Sequence, residues 1–273
     1  MTADMARRWV RYVALTVGMI FVAFPLYWMI LTALTPREAL FRPPYQLIRF
    51  DLTLDNVREL FAETQFMTFM ANSLIVAFGA VVINVFAASL AGYVLSRFPF
   101  PLKRGFAAAT LWTYMFPPIL LAIPLYLIFS ELGLRNSYTG LILAHVSISL
   151  PLNIWIMWQY FQIVPVSLEE AAWTSGASRF RTLIEVVVPS AMPGIISTAI
   201  FAFALSWNDF AFAFILQTDI GMFTLPVGLA TFVEQSAIHW GLIMASSMLV
   251  SIPTFALVFF LQRYLMHGLA LGK

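Results

Sequence analysis

The sequence predicts an all-α fold: a polytopic integral membrane protein with six transmembrane helices. Two observations carry this. Of 273 residues, 61% are hydrophobic and 10% charged, and the mean hydropathy is +0.87, far more apolar than a soluble domain. Six stretches, 12–34, 65–96, 105–130, 136–168, 186–208 and 235–262, contain no Asp, Glu, Lys or Arg. Each exceeds the roughly 20 residues a helix needs to cross about 30 Å of hydrocarbon.

In chain order, the predicted spans are about 10–34, 71–96, 105–130, 137–161, 187–212 and 240–262, within one transmembrane domain, 1–273. The first follows Arg7, Arg8 and Arg11, as a secretory leader would, yet it is long, ends on Tyr27-Trp28 and lacks a small-residue cleavage site; a retained anchor is expected. Between the first two spans, Pro43-Pro44 predicts extended chain, and Thr53-Leu54-Asp55-Asn56 starts a short amphipathic helix, 56–61 or slightly longer. Pro25, Pro117, Pro118, Pro124 and Pro151 interrupt spans and permit kinks around a cavity. The connection 218–240 reads either as an interfacial or re-entrant segment held by Pro226 and Gly228 or as a loop that meets a partner.

An even number of spans puts both termini on one side, and basic residues mark the cytoplasmic one. With a cytoplasmic N-terminus, Arg7, Arg8, Arg11, Arg97, Lys103, Arg104, Arg179, Arg181, Arg263 and Lys273 lie inside, ten against the five outside, Arg37, Arg42, Arg49, Arg58 and Arg135. The polar loop 165–188 is then cytoplasmic.

That loop predicts two short helices. Ser167 is placed to cap a first helix, with Glu170 reaching back; the helix runs through Ala171 and Ala172 and stops at Gly176, where a left-handed turn suits glycine. A second helix from about Ser178 is expected to end before Pro189. By pattern alone, a solvated amphipathic loop and a docking element are equally good readings.

The sequence Glu170-Ala171-Ala172, three residues, Gly176, nine residues, then Val186-Val187-Val188-Pro189 resembles the EAA loop of permease subunits of binding-protein-dependent ABC importers. The family commonly has Asp where this chain has Ser175. Asn72-Ser73-Leu74-Ile75-Val76-Ala77, Ser96-Arg97-Phe98-Pro99-Phe100, residues 132–137 (LGLRNS), Ser149-Leu150-Pro151, Trp207-Asn208-Asp209-Phe210, residues 224–229 (TLPVGL) and Gln262-Arg263-Tyr264 extend the likeness to the carbohydrate branch, similar to the smaller permease of maltose-type importers. The resemblance implies that loop 165–188 is a coupling helix seated in an ATPase, with Glu169, Glu170, Ala171, Ala172, Ser175, Gly176 and Pro189 as coupling residues. It also implies a second, related permease, an ABC ATPase dimer carrying ATP and Mg, a periplasmic or extracellular solute-binding protein, and an inner-membrane location.

No Gly-x-x-x-x-Gly-Lys-Ser/Thr phosphate loop is present, so ATP hydrolysis by that route belongs to another chain. The subunit is expected to be non-catalytic, with no cofactor or metal of its own and no nucleic-acid partner. The absence of cysteine removes disulfides and thiolate metal sites. Gradient-driven transport would call for ionisable residues at membrane depth, and these are few. Asn84, His145, Asn153, Trp207, Asn208 and Asp209 are the candidate solute-pathway residues, each with a second reading: interhelical hydrogen bonding for Asn84, His145 and Asn153, an interfacial anchor for Trp207 to Asp209. The expected function is a permease subunit of an ATP-driven sugar or polyol importer. An importer of another small solute such as a glycerophosphodiester, an ATP-independent channel or carrier, and a structural scaffold are the alternatives.

Overall fold

The computed structural model describes residues 2–41, 47–99, 101, 103–234 and 239–270, without the side chains of 2–4, 6, 104, 107, 114, 233–234 and 261–270. Arg42, Pro43, Pro44 and Lys273, and the side chains of Arg104, Gln262, Arg263 and Tyr264, lie outside the described residues.

The described chain is helical throughout: α1 Thr2–Ala33, α2 Asp55–Glu63, α3 Phe66–Arg97, α4 Lys103–Tyr114, α5 Ile119–Glu131, α6 Tyr138–Ile163, α7 Val166–Thr174, α8 Arg179–Thr182, α9 Val188–Ser190, α10 Met192–Asn208, α11 Ala211–Leu216, α12 Leu225–Glu234 and α13 Trp240–Ala270. Four helices, α1, α3, α6 and α13, are long and apolar enough to cross a membrane, and the pair α8–α9 with α10, bent by 74°, makes a fifth if counted as one span. The third predicted span, 105–130, is two helices, α4 and α5, neither long enough alone. Pro117 and Pro118 explain the break: neither has an N–H to donate, and each disfavours helical geometry in the residue before it.

Packing gathers the chain into two compact units, Met1–Met67 with Leu229–Ile252, and Thr68–Gly228 with Pro253–Lys273. In the first, Asn56 of α2 is buried and donates to the carbonyls of Ala33 (2.8 Å) and Thr35 (2.9 Å), where α1 ends. Nearby, Arg49 forks onto Asp51 and holds its carboxyl below the ordinary value, chiefly by that hydrogen bond. Helix α1 is otherwise almost wholly exposed from Arg7 onward.

Among the described residues, the second unit holds two apolar clusters. Val76 of α3, Ala122 and Phe129 of α5, Leu141 and Ala144 of α6, and Phe212 and Leu216 of α11 form one. Ala88 of α3, Met157 and Phe161 of α6, Val187 and Ala191 form the other. Small residues bring α3 and α6 close: a Cβ at Gly92 would lie 2.8 Å from the backbone N of Trp158. The two clusters hold α6 between the elements that carry the polar groups described next.

Candidate functional site

The segment 165–191 begins differently from its sequence pattern. Helix α7 starts at Val166 with Pro165 as its N-cap and no side-chain capping bond, so the expected Ser167–Glu170 capping box does not form. Pro165, with φ −62° and ψ 131°, is already set for a helix start, and its missing N–H costs nothing there. The other end follows expectation. Gly176 has φ +88°, its N–H reaches the Trp173 carbonyl (3.0 Å), and the Ala177 N–H reaches that of Ala172 (3.0 Å). This six-to-one and five-to-two pair is a Schellman stop. Ser175 Oγ donates to the Ala171 carbonyl at 2.8 Å.

Ser178 then caps α8, accepting from the Arg181 N–H, while the Arg179 guanidinium lies 5.4 Å from the Trp173 ring centre and ties the two helices together. The expected end before Pro189 is not observed. A π-turn at Leu183–Val187 resets the hydrogen-bond register, and the chain stays helical through α9 with Pro189 in the first turn, where no N–H is required.

Glu169 and Glu170 part company. Glu170 is exposed with Ala171, Ser175 and Gly176, whereas Glu169 is completely buried. One Glu169 oxygen accepts from Arg97 Nε at 2.5 Å and the other from the Tyr93 hydroxyl at 2.8 Å. Arg97 also donates from its two terminal nitrogens to the carbonyls of Phe161 (2.9 Å) and Val164 (2.8 Å), which α6 leaves unpaired where it ends. The sequence placed Arg97 among the cytoplasmic positives and gave no sign of this pairing.

The pathway candidates form two interhelical pairs. Asn153 of α6 donates to Asn84 of α3 at 3.0 Å, and Asn84 in turn donates to the Ala80 carbonyl; both residues are fully buried. About 12 Å along α6, buried His145 lies 2.7 Å by Nδ1 from Ser206 Oγ and 3.1 Å by Nε2 from Asp209 Oδ2. Asp209 also accepts from the Ala213 N–H (3.1 Å) at the start of α11. Trp207 is buried and stacked on Phe203 at 5.2 Å. Asn208 alone of the six is exposed, its amide donating to the Ala204 carbonyl.

A further polar clamp, at Asn72, rests on a residue the sequence marked only by resemblance. Its amide donates to the carbonyls of Gly221 and Phe223 (both 2.9 Å) and accepts from the Tyr138 hydroxyl (2.7 Å). Ser73 beside it accepts from the Leu225 N–H at 2.7 Å. Together they pin the start of α3 to α6 and to the chain leading into α12.

Residues 83–270 match the family model described as "Binding-protein-dependent transport system inner membrane component". The chain is 35% identical, over 95% of both sequences, to the trehalose/maltose transport system permease protein MalG of Thermococcus litoralis. It is 33% identical to the trehalose transport system permease protein SugB of Mycobacterium tuberculosis, over 100% of this chain and 98% of that one. Its fold is that of a chain in the crystal structure of a bacterial ABC transporter involved in import of the acidic polysaccharide alginate, with TM-score 0.82, 21% identity, and 97% and 98% of the two chains covered.

Proposed function

Because the chain belongs to the family of binding-protein-dependent transport system inner membrane components, we propose the following account of what its helices do. It is an integral membrane permease subunit of an ATP-driven sugar importer. The observation that carries this is the 35% identity, end to end, with a trehalose/maltose permease. Its partners are a second, related permease, an ABC ATPase dimer and an extracytoplasmic solute-binding protein. ATP and Mg reside on the ATPase, and this chain performs no hydrolysis itself.

The whole chain is read as one transmembrane domain of six spans: α1, α3, α4 with α5 as a proline-broken third, α6, α10 and α13. Both termini are then cytoplasmic, in keeping with the asymmetry of Arg and Lys, and α7 faces the ATPase. The 74° bend between α8–α9 and α10 supports this reading, since it turns the polar segment away from the axis of the span that follows. Reversing an inward–outward population from 1:99 to 99:1 takes about 5.5 kcal/mol of differential binding. In this account α7 carries that bias, and the buried His145–Asp209 and Asn84–Asn153 pairs are among the contacts that separate when a solute path opens.

Gly176 tests the docking role of this segment. A Cβ there meets nothing within 4 Å in the chain itself, so Gly176→Ala costs only the left-handed strain, about 1–2 kcal/mol, and leaves transport near normal. Gly176→Trp is expected to accumulate in the membrane while losing most ATP-dependent uptake, because its bulk collides with the ATPase. Normal uptake by the tryptophan variant contradicts a seated α7.

The function itself is tested by uptake of radiolabelled trehalose and maltose in cells lacking this chain. Loss of high-affinity uptake of one such sugar, restored by the chain and abolished by a hydrolysis-dead partner ATPase, is the expected result. Unchanged uptake across a panel of di- and oligosaccharides overturns the sugar assignment.

A further inference from the structure

We infer that Arg97 is a positioning residue that makes α7, the inner end of α3 and the C-terminus of α6 move as one body. The inference rests on the importer reading and names the part that transmits motion in it. Three features carry it. The guanidinium lies on α3 yet spends its donors on two other elements, the Glu169 carboxylate of α7 and the Phe161 and Val164 carbonyls at the end of α6. Both Glu169 oxygens are engaged, the second by Tyr93, also on α3. The pair is sealed from solvent, with the Glu169 side chain 0% and the Arg97 side chain 10% exposed.

An ion pair in such a place is held or broken as a unit. Sliding α7 alone would strand a buried carboxylate and a guanidinium, and parting α3 from α6 would strip the donors from two carbonyls that α6 cannot satisfy itself. Moving all three elements together costs none of this. The remaining contacts of α7 lead to the segment that follows it: it packs on the π-turn Leu183–Val187 and on α8, to which the exposed Trp173–Arg179 stack joins its far end, while Glu170 and Ala171 on its outer face are exposed. A push on α7 is therefore delivered through Glu169 to Arg97, and from there to two spans at once. Closing the path through α3 and α6 needs no separate contact with the ATPase.

The test uses the assembled complex from the native host in a cysteine-free background, with spin labels at Ser167→Cys on α7 and Val94→Cys on α3, both exposed positions. With Arg97 and Glu169 intact, the interlabel distance is expected to be the same without nucleotide and with ATP trapped. Adding Glu169→Gln is expected to make that distance shift or broaden on trapping. Sugar transported per ATP hydrolysed then falls at least about tenfold, while Arg97→Lys, which keeps the charge and loses the fork, lies between. A distance that changes on trapping in the unaltered network, or transport per ATP unchanged in Glu169→Gln, overturns the inference. If Glu169→Gln fails to assemble, the labelled wild-type network still decides. A complex that contains no ATPase defeats the importer reading itself, a result distinct from either.

Discussion

Replacing Gly92 by Leu is expected to prevent accumulation of the folded chain. A Cβ at this position would fall 2.8 Å from the Trp158 N and 2.9 Å from the Met157 carbonyl carbon. These are backbone atoms of α6, which cannot rotate aside as a side chain does. The methyl of alanine already forces α3 and α6 apart, and the leucine adds three carbons to the same gap. The apolar cluster of Ala88, Met157, Phe161 and Val187 loses contact on both helices, so the cost lies at or beyond the upper end of the 1–3 kcal/mol usual for overpacking. Gly79→Ala is the control on the same helix: its Cβ meets the tip of Ile142, Cδ1 at 2.6 Å, a group that can change rotamer. Membrane abundance and thermal unfolding in detergent should show Gly92→Leu lost and Gly79→Ala close to the parent. Equal behaviour of the two contradicts the close packing of α3 on α6.

The second large effect is expected at Asn72→Ala. The buried amide makes three hydrogen bonds, to Gly221 and Phe223 as donor and from Tyr138 as acceptor. Alanine removes all three and leaves two carbonyls and a hydroxyl to find other partners. At roughly 1 kcal/mol per bond, with more where a group stays dry, the loss is about 3 kcal/mol. It falls on one place, the joint between α3, α6 and the chain before α12. The phenotype should therefore be a loosened 218–228 segment, read as faster amide exchange there, with exchange in α7 and α8 unchanged. Uniform loss of protection across the chain would show instead that Asn72 supports the fold at large.

The contrast between these positions and those read from sequence has a physical basis. Charge-free length locates a helix long enough to cross a bilayer when that helix is continuous, as for α3, α6 and α13, because apolar length is what a bilayer requires. It does not register the break between α4 and α5, where composition stays apolar across Pro117-Pro118. Gly176 was legible because a helix stop leaves a local signature. The Ser167–Glu170 cap was not, because Pro165 offers a competing start two residues upstream of Ser167.

The segment 165–188 illustrates a wider limit. Glu169 and Glu170 are chemically identical neighbours, and only the fold decides that one turns inward to Arg97 and the other outward. Such pairings join residues 72 positions apart, beyond any local pattern. His145 and Asp209 are similar: each was visible as a rare polar group in an apolar run, while their direct pairing, with Ser206 on the other ring nitrogen of His145, depends on α6 packing against α10. Trp207 read as an interfacial anchor or a solute contact, and the structure places it stacked within the packing on Phe203.

The central claim is that this chain works as one permease of an ATP-driven sugar importer. It is tested most directly by isolating the tagged chain from its native host in mild detergent and identifying what accompanies it by mass spectrometry. The account predicts an ABC ATPase and a second, related permease in stoichiometric amounts. Recovery of the chain alone, as a monomer or homo-oligomer under conditions that preserve membrane assemblies, would contradict it and favour an ATP-independent channel or carrier.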